Sequence, residues 1–141
     1  MERLLGIFPQ AQRCTEQDFA QSPAEQGAYV LQIDLDYPIC AMLGRQAVVL
    51  DAGRYLYAGS AWGPGGIRGR LNHHFRKDKK VHWHVDHLTA EANRVVAIAF
   101  PRISECALVD SLDELGATYP HPGFGSSDCK ACTSHLVQLP T

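Results

Sequence analysis

The run Tyr29-Val30-Leu31-Gln32-Ile33-Asp34-Leu35 constrains the fold more than any other part of the chain. Tyr29, Leu31, Ile33 and Leu35 share one face of an extended strand, and no helical winding aligns them. A loop signal, Gln21-Ser22-Pro23-Ala24-Glu25-Gln26-Gly27, precedes the run, and Pro38 and Gly44 break the pattern after it. Ala47-Val48-Val49-Leu50 then reads as a short strand and Asp51-Ala52-Gly53 as a turn. Tyr55-Leu56-Tyr57-Ala58-Gly59 reads as a third strand with both tyrosines on one face. Arg94 to Phe100 reads as a buried strand ended by Pro101.

Helical patterns separate these strands. After the flexible Trp62-Gly63-Pro64-Gly65-Gly66, the residues Ile67, Leu71 and Phe75 recur as an apolar stripe. Arg70 and His74 lie along one edge of that stripe, where a sheet meets solvent, and Gly69 weakens the pattern. Trp83 to Leu88 predicts a second short helix, and Ser104 suits the N-cap of a third running to about Leu115. Residues 1–26 read as a loosely structured lead-in, and Pro122 to His135 as a loop-like tail. The intermixed pattern predicts a small mixed-sheet α/β or α+β domain.

At 141 residues the chain fits one domain, and 45% hydrophobic residues suffice for an ordinary core. No apolar run approaches the roughly 18 residues of a membrane span, and the first residues are too short and interrupted for a signal peptide. Five cysteines are an odd number for a disulfide framework, which favours a reduced compartment. The expectation is a soluble cytoplasmic protein. Cys129, Cys132 and His135 form a CxxC-xx-H cluster, but zinc takes four ligands, and Cys106 or His121 would have to come from elsewhere. Buried or free thiols are the favoured reading over structural zinc.

The net charge of −2 argues weakly against nucleic acid, but its distribution matters more. Arg68, Arg70, Arg76, Lys77, Lys79 and Lys80 supply six of the thirteen Lys and Arg, opposed in that span by Asp78 alone. Such a patch can hold a phosphate backbone, and a solvated helix face is its usual alternative. His82 and His84 extend the candidate nucleic-acid contacts. His82, His84, His87 and Asp86 also offer a second metal-ligand set, although such groups are more often surface histidines. Trp62 and Trp83 can stack on bases or simply pack.

Taken in order, Gly27-Ala28-Tyr29, Tyr57-Ala58-Gly59, Arg70 with His74 after it, and Glu105 opening a helix resemble the GIY-YIG nuclease superfamily. Tyr55 to Ala61, Lys79 to Asp86 and Gly123 to Cys129 resemble an uncharacterised branch of it, whose members occur alone or fused to endonuclease III-type repair proteins. The resemblance covers residues 27–137 and implies a small, mainly antiparallel central sheet flanked by helices. It implies divalent-metal-dependent hydrolysis, with Mg²⁺ or Mn²⁺, of a nucleic-acid phosphodiester, DNA by preference, with a role in DNA repair and a repair protein as partner. Tyr29, Tyr57, Arg70, His74 and Glu105 would be the catalytic set, with Glu105 the metal ligand. The chain departs from the pattern in three ways. The gap between the tyrosine motifs is long enough to need an extra hairpin, and Ala28 stands where Ile is usual. No Asn follows the Glu105 helix, where Ser127 or Asp128 would substitute.

The chemistry suits these residue types. Arg70 can bond a phosphate in bidentate fashion as negative charge builds. A phenol with pKa near 10 acts as a base only beside a cation, whereas an imidazole near 6.5 accepts a proton at neutral pH. Tyr29, Tyr57 and His74 therefore all remain candidates for the base. Singly, each residue has a structural explanation: strand aromatics pack, and an acid after an N-cap favours the helix dipole. The competing functions are a non-catalytic nucleic-acid-binding module of the same fold and a small zinc-stabilised interaction domain.

Overall fold

In the computed structural model, residues 11–43, 45–78, 80, 85–104, 107–108, 111 and 136–138 are described. The alternating run forms β2 (Gly27–Leu35), and the later strand patterns form β5 (Gly53–Ser60) and β6 (Arg94–Pro101). β2 pairs antiparallel with both: Tyr29 stands opposite Gly59 on one side and Ala99 on the other. Two short strands complete the sheet, β1 (Gln12–Cys14) beside β6 and β7 (Leu136–Gln138) beside β5. The five strands run in the order β1-β6-β2-β5-β7 with every pairing antiparallel.

The long gap between the tyrosine motifs holds the extra hairpin. β3 (Ile39–Leu43) and β4 (Gln46–Leu50) form a separate two-stranded ribbon. Ile39, Ala41, Val48 and Leu50 turn into the core, while Cys40, Met42, Ala47 and Val49 face outward. This is the period-two alternation of a one-sided ribbon.

Helix α1 (Gly66–Phe75) lies on one face of the sheet through Ile67, Leu71 and Phe75, which join Tyr29, Leu31, Ile33, Tyr55 and Tyr57 in one apolar cluster. The opposite face is buried as well at Ala28, Val30, Leu56, Ala58, Ile98 and Phe100. β2 is thus two-sided at its start, then one-sided where Gln32 and Asp34 become half-buried. The second helix, α2, runs Asp86–Glu91. It was expected from Trp83, but residues 81–84 lie outside the described set. Asp86 occupies its first turn, where the helix dipole favours an acid.

The lead-in is more ordered than its sequence suggests. β1 carries buried Cys14 into the sheet, and burial pushes that thiol up to about 11. The carbonyls of Pro23 and Glu25 accept the amides of Arg68 and Ile67, satisfying two donors that the start of α1 cannot pair internally. Ser104 accepts the amide of Ala107 through its hydroxyl, as an N-cap should. Ala107, Leu108 and Ser111 are helical, with Leu108 buried.

Candidate active site

The two aromatic motifs meet because β2 and β5 are neighbours in register. Tyr29 lies opposite Gly59, and a Cβ added at Gly59 would overlap the Cζ, Cε2 and hydroxyl of Tyr29. The closing glycine of the second motif is therefore the floor under the tyrosine of the first. Gly27 is needed for a similar reason, since a Cβ there would lie 2.5 Å from the Phe100 carbonyl oxygen and 2.6 Å from the Arg102 nitrogen. Both glycines are set by close approach.

Above this floor, α1 brings down His74. The Tyr29 hydroxyl and His74 Nε2 are 2.6 Å apart, a short hydrogen bond between buried groups. The ring of Tyr57 meets the same imidazole edge-on, with centroids 6.5 Å apart, against 5.1 Å for Tyr29. His74 is 1% exposed, Tyr29 3% and Tyr57 6%, so the cluster is shielded from bulk water. Arg70 sits one helical turn before His74 and is half-buried. Its guanidinium reaches toward Gly63, at the mouth of the loop entering α1.

Asp86 joins the cluster from α2. Its carboxylate is fully buried, and both oxygens lie 3.0 Å from His73 Nε2. The same carboxylate stands 3.8 Å from His74 Nδ1, beyond hydrogen-bond length but within ion-pair reach. Sequence reasoning grouped Asp86 with His82, His84 and His87 and did not connect it to α1. The available signal was an acid in the first turn of a short helix, two residues before Leu88 and three before Thr89, on the side that is buried and where a carboxylate needs a partner.

Two exposed members of the basic patch are engaged by backbone carbonyls. Arg68 donates through Nε to the Ser22 carbonyl, clamping the lead-in to α1. Lys77 donates to the carbonyls of Thr89 and Ala92, 2.9 and 2.6 Å away, at the end of α2. Desolvation there pushes its ammonium down, with Glu16 and Glu91 opposing the shift. This is the cation that a helix C-terminus favours. Arg76 and Lys80 are exposed. Lys79, His82, His84, Glu105, Cys129, Cys132 and His135 lie outside the described residues. Among the described residues, no group of three or more His, Cys, Asp or Glu side chains is arranged to hold a metal ion. Among them, too, no helix is long and apolar enough to cross a membrane.

No curated protein and no solved structure matches the chain. A family model does: domain of unknown function DUF123 matches residues 28–141. The match begins one residue before Tyr29 and takes in β2 from Ala28 onward through β7, both tyrosines, α1 and Asp86. With more than half its length matched, the chain belongs to the DUF123 family.

Proposed function

We propose that the Tyr29–Tyr57–His74 cluster is the centre of a phosphodiesterase site, and that the protein is a GIY-YIG-type, metal-dependent endonuclease acting on DNA. The observation that carries this reading is the 2.6 Å bond between the Tyr29 hydroxyl and His74 Nε2. A buried phenol needs a partner, and a backbone carbonyl would serve packing alone. An imidazole partner can receive a proton, which is what activating a water requires. In this reading Arg70 binds the phosphate oxygens as charge builds on them, and Tyr57 packs edge-on beside the imidazole.

The metal in this reading falls to Glu105, directly after the N-cap Ser104. Asp86 does not suit the role, because its carboxylate is buried and engaged by His73. A bound Mg²⁺ or Mn²⁺ would relieve charge at phosphorus. The chain's own residues orient the phosphate and accept the proton. Exposed Arg76, Lys77 and Lys80 would track the nucleic-acid backbone, Lys77 while also holding the end of α2.

The test is cleavage of supercoiled, branched and single-stranded DNA with Mg²⁺ or Mn²⁺, wild type beside Glu105→Ala and Arg70→Ala. Metal-dependent cutting is expected, abolished in the first variant and reduced about 10²- to 10³-fold in the second. Binding that weakens with salt but never cuts would instead identify a nucleic-acid-binding module of the same fold. A repair-protein partner would then have to supply the chemistry.

A further inference from the structure

The geometry points to Asp86 as the positioning residue that fixes the tautomer of His74, so that the imidazole is the acceptor and the Tyr29 phenol the donor of their shared hydrogen bond. This assignment rests on the phosphodiesterase reading for its catalytic meaning, but the tautomer itself does not.

His74 has two ring nitrogens in different surroundings. Nδ1 faces the buried Asp86 carboxylate at 3.8 Å, and Nε2 faces the Tyr29 hydroxyl at 2.6 Å. A nitrogen lone pair pointed at a buried carboxylate is repelled, while an N–H in the same place is attracted. With both groups shielded from water, that preference is little screened. The proton therefore sits on Nδ1, which leaves the lone pair on Nε2. The Tyr29 O–H then has to donate.

The position of Asp86 is itself fixed. His73 Nε2 lies 3.0 Å from each oxygen, so the carboxylate is held in place while its Oδ1 acts on His74. Adjacent histidines on α1 thus divide the work, one anchoring the acid and the other being oriented by it. The arrangement follows the logic of an acid that orients a base, without the acid ever becoming protonated.

The proton path that follows is balanced. A water loses a proton to Tyr29 Oη as its oxygen forms the new bond to phosphorus. The phenol's own proton passes along the short bond to His74 Nε2, so Tyr29 ends neutral and His74 ends as an imidazolium beside Asp86. The bond from phosphorus to the leaving oxygen breaks with its electron pair, and that oxygen takes a proton from solvent. The phenol thus relays a proton without first having to ionise.

The experiment is an ¹⁵N-histidine spectrum of the full chain, wild type beside Asp86→Asn, with cleavage kinetics on the same samples. The wild-type spectrum decides the tautomer by itself, even if the variant fails to fold. A protonated-type Nδ1 with a lone-pair-type Nε2 on His74 is expected; a protonated-type Nε2 with a lone-pair-type Nδ1 overturns the assignment. In folded Asp86→Asn the preference should be lost or reversed, with kcat falling about 10²-fold at unchanged KM. An unaltered His74 spectrum in that variant would overturn the role of Asp86. Absence of cutting by the wild type counts against the nuclease reading alone, because the tautomer is read without turnover.

Discussion

The β2–β5 ladder holds a buried tyrosine at each end, and the two hydroxyls have opposite fates. At the far end Tyr55, opposite Ile33, donates to the Asp51 carbonyl at 2.8 Å, and a partly exposed Asp34–Arg54 pair lies beside it. At the near end Tyr29, opposite Gly59, is bonded to an imidazole that faces a buried carboxylate. Both rings belong to the same apolar cluster. Burial and aromatic packing therefore do not tell these two tyrosines apart; the partner of the hydroxyl does. A carbonyl satisfies a phenol and can do no more, whereas an imidazole can take its proton.

The largest break in this comparison should come from Gly59→Val. The added side chain displaces the Tyr29 ring, costs about 1–3 kcal/mol by overpacking and breaks the Tyr29–His74 bond; on the proposed function it also removes cleavage. Denaturant unfolding and the DNA assay check the two effects. Tyr29→Phe should follow, keeping the packing but losing the donor to His74. A cost of about 1–3 kcal/mol is expected, with a fall in cleavage of about 10²-fold or more. Its counterpart, Tyr55→Phe, should cost about 1 kcal/mol and leave cleavage unchanged. Equal losses of activity in the two variants would erase the distinction between the ends.

Two smaller effects sharpen the far end. Arg54→Ala removes a partly exposed ion pair and should cost about 0.2–1 kcal/mol, less at high salt. The Tyr55 phenol is pushed up from its usual value by burial and by Asp51. A raised folded value means that its contribution to stability is complete below the unfolded pKa, near 10, and is lost as pH rises through the folded one. An alkaline ultraviolet titration of wild type against Tyr55→Phe should show one phenol ionising late, with stability falling over the same range.

Much of this was legible from residues alone. The period-two run gave β2 its span and its inward face, and the stripe Ile67, Leu71, Phe75 gave α1 its buried side. The excess length between the motifs announced the β3–β4 hairpin. β1 and β7, of three residues each, are too short to show a period, and only pairing with a longer strand defines them. The Asp86 contact was hidden because a carboxylate reaches His73 and His74 through the packing of α2 on α1, which no local pattern encodes. Lys77 has a second place that the sequence does not show. In sequence it extends a basic patch, while in space it finishes a helix.

The middle position of β2 also governs how the site comes into being. Its ladder with β5 closes across the short β3–β4 excursion, but its other edge pairs Ala28 with Phe100, across both helices. Bringing such distant segments together is the slow, entropically costly part of folding. Until β6 arrives, β2 is a half-paired apolar strand. Once it arrives, β2 is enclosed on both edges, and its amides should exchange only when the whole sheet opens. Tyr29 therefore meets Gly59 across the local ladder and is sealed only when Ala99 closes the other edge.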